Sequence, residues 1–395
     1  MKKLIPITKT IFDERDLEII QEPLKKGWVV QGEYVKRFED EFSAFAGVKN
    51  SVATSSCTTA LHIIMAALGV KPGDEVLVPG FTWVATANCV EYMGAKPVFV
   101  DVELATFNID PEKIEEKITP QTKGIIPVHL FGLVADIDRI MGIAKEKGLF
   151  VAEDAACGFD SWYKGKHAGT FGIAGAFSFH PRKAITTGEG GMITTNDDEF
   201  AILSRTLRDH GASRSDFTRH NQKHSFLLSE YKHLGYNFRM TDIQGALGIT
   251  QMEKAPSIME SRRAGAAMYY DRLRDADWLQ LPYENPDYKH GFQSYVCLFT
   301  PEEPTLGNWE RLFDTRNEIM TNLEVKGIIT RQGTHSAAHV DYYADKYGIK
   351  PEDLPNSFIA EKCSITLPLF AGITEEEVDT VVRELKAEFE KNYRK

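Results

Sequence analysis

The sequence is short of several things, and each shortage removes a class of function. Its five cysteines (Cys57, Cys89, Cys157, Cys297 and Cys363) form no CxxC pair and no metal-ligand spacing. No disulfide framework or metal centre is therefore expected, and the odd count fits a reducing compartment. No run approaches the roughly eighteen apolar residues of a spanning helix. The opening stretch MKKLIPITKTIFDERD lacks the apolar centre of a signal peptide, so the cytoplasm is the expected location. The net charge of −11 is spread without a long block of one sign, which argues against nucleic acid or a membrane surface as a partner. No GxGxxG follows the first strand, so a nicotinamide dehydrogenase is disfavoured. No repeat or low-complexity segment is visible.

What remains is an ordinary globular composition, 43% hydrophobic and 26% charged over 395 residues, with room for a large core and two domains. ERDLEIIQEPLKK (14–26) reads as an amphipathic helix. In EYVKRFEDEFSAFAG, Val35, Phe38, Phe42 and Phe45 fall at helical spacing and Gly47 is a natural stop. In SVATSSCTTALHIIMAALGV a strand enters a helix through Ser55, Ser56, Cys57, Thr58 and Thr59. Apolar strands and helical segments then alternate. EVLVPG, KPVFVDV, KGIIPVHL and LFVAEDAA read as strands; FTWVATANCVEYMG, PEKIEEKI and DIDRIMGIAKEKG read as helices. That rhythm implies an α/β fold with a mostly parallel sheet, whose ligands bind beyond the carboxyl ends of the strands. The character changes near Ala255 and Pro256, giving an expected large domain over 1–255 and a smaller α+β domain over 256–395. Short strands (SYVCLF, KGIITR) and a closing helix (TEEEVDTVVRELKAEFEK) belong to the second.

FSFHPRKAITTGEGGM (177–192) concentrates the chemistry. Lys183 sits in a small-residue turn between two apolar, strand-like runs, flanked by Ser178, Thr186 and Thr187. A lysine can snorkel from a strand end. A buried amine, however, has a depressed pKa and the nucleophilicity that a Schiff base requires. Upstream, Asp154 closes an apolar strand; it is either a turn residue or the partner of a protonated cofactor ring. SSCTT supplies hydroxyls and helix N-terminal N–H groups suited to a phosphate, with Ser178 as a second hydroxyl. Trp83 is either core or an apolar platform for a ring.

Six segments, SSCTTALH, GDEVLVPGFTWVATAN, EDAAC, FSFHPRKAITTGEGGM, GYNFRMTDIQGALG and SITLPLFAGITEEEV, resemble in order and spacing the DegT/DnrJ sugar aminotransferases. These are enzymes dependent on pyridoxal 5′-phosphate (PLP), with the aspartate aminotransferase fold. The resemblance implies that Lys183 is the Schiff-base lysine and proton shuttle, Asp154 the ring-nitrogen partner and Trp83 the stacking aromatic. It implies phosphate contacts from Ser178, Cys57 and Thr58. Asn237 would reach the phosphate of a neighbouring subunit's cofactor, making the active unit a homodimer with active sites at the subunit interface. His180 would lie on the substrate side. Relatives often carry glycine at position 57 and glutamine or histidine at 157, so the cofactor contact of Cys157 is expected to be weak. One branch with histidine in place of the lysine performs dehydration; Lys183 favours transamination. The GEGG ending resembles members that aminate C4 of a nucleotide-linked keto-sugar.

The expected reaction moves an amino group from L-glutamate or L-glutamine to a nucleotide-linked 4-keto-6-deoxyhexose. A 3-keto-sugar or aminocyclitol aminotransferase is the nearest rival, and a non-catalytic PLP-binding regulator is the rival of another class. Further substrate candidates are Arg214 and Arg219, in a loop with His220, Lys223 and His224, and also Arg331 and His335.

Overall fold

The computed structural model describes residues 4–213 and 228–393. Its strands are β1 (Asn50–Thr54), β2 (Glu75–Pro79), β3 (Lys96–Val100), β4 (Thr122–Ile125), β5 (Phe150–Asp154), β6 (Trp162–Tyr163), β7 (Lys166–His167), β8 (Ala174–Ser178), β9 (Gly191–Thr195), β10 (Leu279–Gln280), β11 (Tyr288–Lys289), β12 (Tyr295–Phe299) and β13 (Ser364–Leu367). Seven form one sheet in the order β1-β9-β8-β5-β4-β2-β3. Only β9 runs against the others. The loops leaving β1, β2, β4, β5 and β8 therefore open on one edge of the sheet, where a ligand is expected in such folds.

Helices cover both faces: α1 (Glu14–Lys26), α2 (Glu33–Ala46), α3 (Cys57–Ala67), α4 (Ala85–Glu91), α5 (Ile137–Lys147), α6 (Asp198–Arg208) and α7 (Asp242–Leu273). Side chains alternate between faces with the period of two that a pleated strand imposes. Along β2, Leu77 packs with Phe38 and Phe42 of α2, whereas Val76 and Val78 pack with Leu61, Ile64 and Met65 of α3. Local chemistry sets the helix ends. Asp13 and Asp16 form a capping box at the start of α1, and Ser56 and Thr59 form one at the start of α3. α1 and α2 stop at Gly27 and Gly47 in the left-handed region, which glycine enters without steric cost.

The C-terminal part contains α8 (Trp309–Val325), α9 (Asp341–Tyr347), α10 (Pro355–Cys363) and α11 (Glu375–Asn392) around β10, β12 and β13. Its core is shared: Phe81, Val128, Leu130 and Phe131, from loops after β2 and β4, pack with Tyr295, Phe299, Leu312, Ile365 and Val378.

Several local expectations change. PEKIEEKI forms two 3-10 turns, Pro111–Lys113 and Glu115–Lys117, because only Pro111 and Ile114 of its eight residues are buried and no apolar stripe supports a longer helix. The helix anticipated from Phe81 begins at Ala85, so Trp83 lies on the preceding loop, where Thr82 N donates to the His335 carbonyl at 3.1 Å. KGIITR is not a continuous strand; it makes isolated bridges, Ile328 to Ile5 and Arg331 to Thr366. Positions 255 and 256 lie inside α7, which accommodates Pro256 at the loss of one helical hydrogen bond.

Candidate active site

β8 and β9 pair antiparallel, and the loop joining them carries Lys183. The loop is anchored by aromatic packing: Phe42 meets Phe177 at 4.9 Å and Phe179 at 5.6 Å between ring centroids. Each such buried ring contributes roughly 2 kcal/mol. The hydroxyls that stood out in the sequence tie the loop together. Thr186 Oγ1 donates to the Phe179 carbonyl (2.7 Å) and accepts from Gly188 N (2.9 Å), while Thr187 Oγ1 donates to the Glu189 carbonyl (2.7 Å). Gly188 turns with φ 83, and Lys183 N donates to the His180 carbonyl at 2.8 Å.

The loop faces a cavity of about 470 Å³ at the junction of the sheet edge and the C-terminal part. Lys183, Asp154, Cys57, Thr58, Trp83, Cys157, Ser178, His180 and Arg331 all line it. Nine of the sequence candidates are thus brought together. His335 lies just outside, exposed, its ring 5.7 Å from that of Trp83. Asn237 is exposed, pairs through its backbone with Asp209 and does not line the cavity. Arg214 and Arg219, with His220, Lys223 and His224, fall outside the described residues.

Asp154 is buried; its Oδ2 accepts from Thr86 Oγ1 (2.8 Å) and its Oδ1 from Ala156 N (3.1 Å). Burial raises its pKa, and those two bonds together with Lys183 and His129 only partly offset the shift. Among the described residues it forms no ion pair. A buried carboxyl in that state favours a cationic or proton-carrying partner. β9 runs so close to the start of α3 that a Cβ on Gly191 would lie 2.4 Å from Ser56 C and O. Among the described residues the N–H groups of Cys57 and Thr58, in the first turn of α3, find no acceptor. Free N–H groups at a helix N-terminus suit an anion, and the Ser178 hydroxyl borders the same cavity. A pyridine nitrogen at Asp154, a phosphate at α3 and a carbonyl carbon at Lys183 match these three chemistries, so the residues present fit PLP. Trp83, 58% exposed, borders the cavity with its ring largely unpacked, as a platform for a ring requires.

The expectation of a depressed Lys183 pKa does not hold. Burial pushes the ammonium down, but Cys157, whose Sγ lies 3.2 Å from Nζ, and Asp154 push it up, above the usual lysine value. Burial alone was the wrong criterion, because acidic groups converge on the same amine. Cys57 is a neutral thiol whose pKa burial raises strongly. His180 is held below its usual value by burial, and its Nδ1 accepts from Arg182 N at 3.2 Å.

Sequence reasoning missed Thr82, Arg182, Glu189, Gln293 and Ser294 as cavity residues, and Thr86 as the donor to Asp154. Thr86 had a usable signal, three residues after Trp83 at the start of a short helix. Glu189 stood in the GEGG tail. Gln293 and Ser294 precede an unremarkable strand and had none.

The profile of the DegT/DnrJ/EryC1/StrS aminotransferase family matches residues 10–386. GDP-perosamine synthase of Caulobacter vibrioides is 37% identical over 386 residues, covering 96% of this chain and 97% of that protein. Spore coat polysaccharide biosynthesis protein SpsC of Bacillus subtilis is 35% identical over 383 residues, covering 97% and 96%. Spr1654 of Streptococcus pneumoniae, solved in a PMP form, superposes with TM-score 0.90 at 27% identity, covering 98% of this chain and 99% of that one.

Proposed function

Because the chain belongs to the DegT/DnrJ/EryC1/StrS aminotransferase family and is a PLP-dependent sugar aminotransferase, we propose that its acceptor is a nucleotide-linked 4-keto-6-deoxyhexose and its donor L-glutamate or L-glutamine. The observation that supports a transaminase within this cavity is the meeting of Lys183 and Asp154 in its lining, with two further cations, Arg182 and Arg331, beside them. The relative from Caulobacter vibrioides, a GDP-perosamine synthase, supports a nucleotide sugar.

Bound PLP supplies the electron sink that makes the Cα–H bond of an amino acid breakable. The protein supplies the rest. Asp154, kept from water, holds the proton of the pyridine nitrogen. Thr86 and the Ala156 N–H hold the carboxyl in place. Lys183 would move a proton between the substrate Cα and the cofactor carbon on the other side of the amine nitrogen, acting at Nζ as base and then as acid. Arg182 and Arg331 attract the carboxylates of the donor. Cys57, Thr58 and Ser178 hold the phosphate. The same proposal includes a cytoplasmic homodimer, with Asn237 reaching the partner's cofactor phosphate, and the division of the chain into domains 1–255 and 256–395. Asn237→Asp then weakens PLP retention about tenfold, read by equilibrium dialysis; unchanged retention removes that contact.

The experiment is to load the protein with PLP, add L-glutamate and follow conversion to the pyridoxamine form. A panel of 4-keto- and 3-keto-sugar nucleotides and a keto-inositol is then offered. Consumption of the pyridoxamine form by the 4-keto-6-deoxy compound is expected, and preferential consumption by another compound replaces this acceptor.

A further inference from the structure

We propose that Gln293 is a specificity-determining residue that reads a hydroxyl of the sugar acceptor through its side-chain oxygen, held in register by Arg262. The inference rests on the sugar-aminotransferase reading of this cavity.

Gln293 lines the cavity. Its Nε2 donates to the carbonyl of Arg182, the residue immediately before the reactive lysine, at 3.1 Å. That bond fixes the orientation of the amide, because the reverse arrangement would set two oxygens against each other. The end left over is an acceptor: among the described residues Oε1 makes no hydrogen bond. An acceptor oxygen complements a sugar hydroxyl and repels a carboxylate. The same cavity already offers Arg182, Arg331 and Lys183 to carboxylates. The two substrates, a dicarboxylic or amide-bearing amino acid and a polyhydroxylated sugar, therefore meet different parts of one wall.

The backbone beneath Gln293 is built to hold it. Arg262, buried in α7, donates from Nε and an Nη to the Phe292 carbonyl (3.1 and 2.8 Å) and from the same Nη to the Gln293 carbonyl (2.6 Å). Among the described residues it spends no bond on a carboxylate. Phe292 has φ 42, a conformation that a bulky residue adopts only when its surroundings enforce it. Its N–H donates to His290 Nδ1 at 2.8 Å and the two rings stack at 4.0 Å. The adjacent Arg263 binds the His290 carbonyl at 3.0 Å. Two consecutive arginines thus clamp residues 290–293, and a recognising group on a fixed backbone discriminates better than one on a loose loop. Arg262 is a positioning residue.

The test uses Gln293→Leu and Gln293→Asn in the PLP-loaded full-length protein, with the two half-reactions measured separately and thermal melting recorded for each variant. The expected result is a rise of about tenfold in the sugar KM, the size of one lost hydrogen bond, with the glutamate half-reaction within twofold of the parent. Singly deoxygenated acceptors add a second readout: for one of them the parent and Gln293→Leu should react equally. Equal slowing of both half-reactions would make Gln293 a support for the lysine loop only and overturn the proposal, as would an unchanged sugar KM in both variants. Should the parent convert glutamate yet accept no keto-sugar, the sugar reading itself falls, and the proposal with it.

Discussion

The lysine loop and the clamp at 290–293 border one cavity, joined by the bond from Gln293 to the Arg182 carbonyl, and they were built by opposite rules. The lysine loop is a continuous segment between two paired strands, so its hydroxyls, glycine and lysine are neighbours in sequence as well as in space. The clamp is assembled at a distance: α7 sends Arg262 and Arg263 to a short stretch that precedes β12. The difference teaches that the reacting half of the site is encoded locally, whereas the half that faces the substrate depends on the packing of the C-terminal part against the sheet.

The largest effect should come from breaking the first region. Lys183→Ala removes the base, and turnover falls roughly a thousandfold or more, measured in steady state. If the variant keeps parental turnover, the lysine loop is not the reacting half. Asp154→Asn leaves a neutral group opposite the ring nitrogen. It should cost on the order of 3 kcal/mol of interaction, roughly a hundredfold in the glutamate half-reaction. A loss of less than threefold would mean that the buried carboxyl does not hold the ring proton.

The clamp can be tested through its acid sensitivity. Burial, and then Arg263, lower the His290 pKa from 6.5 to about 3. The native state therefore holds a neutral imidazole, while the unfolded chain takes up a proton below about pH 6.5. Stability is fully present above that pH and is lost as pH falls toward the folded value, by a few kcal/mol in total. His290→Asn keeps a side-chain acceptor for Phe292 N without titrating there. Urea midpoints between pH 7 and pH 5 should fall less steeply for the variant than for the parent; equal slopes would show that another group governs the acid limb. The smallest effect expected is from Thr86→Val, which removes one hydroxyl from Asp154 at the cost of about 1 kcal/mol, read as a severalfold slower glutamate half-reaction. No change would leave the Ala156 N–H sufficient to hold the carboxyl.

The same contrast explains what the sequence could and could not reveal. The alternation of apolar strands and helices predicts the parallel sheet, with Asp154 and Ser56 at its ligand-binding edge. Period-two burial along β2 and capping residues at α1 and α3 are local signals that survive folding. PEKIEEKI misled because charge and short length look helical while too little apolar surface is available to hold a helix. The Lys183 pKa misled because the groups around its amine, Cys57 after β1 and Asp154 and Cys157 at the end of β5, come from two strand ends distant in sequence. Gln293 was invisible because its value lies in one bond to Arg182 and in an arginine thirty-one positions away.

The central claim is that Lys183 is the residue to which PLP attaches. Borohydride reduction of the PLP-loaded protein, followed by peptide mass spectrometry, tests it most directly. The pyridoxyl group is expected on Lys183 alone. Its recovery on another lysine, or on none, would contradict the assignment from which the rest of the mechanism is built.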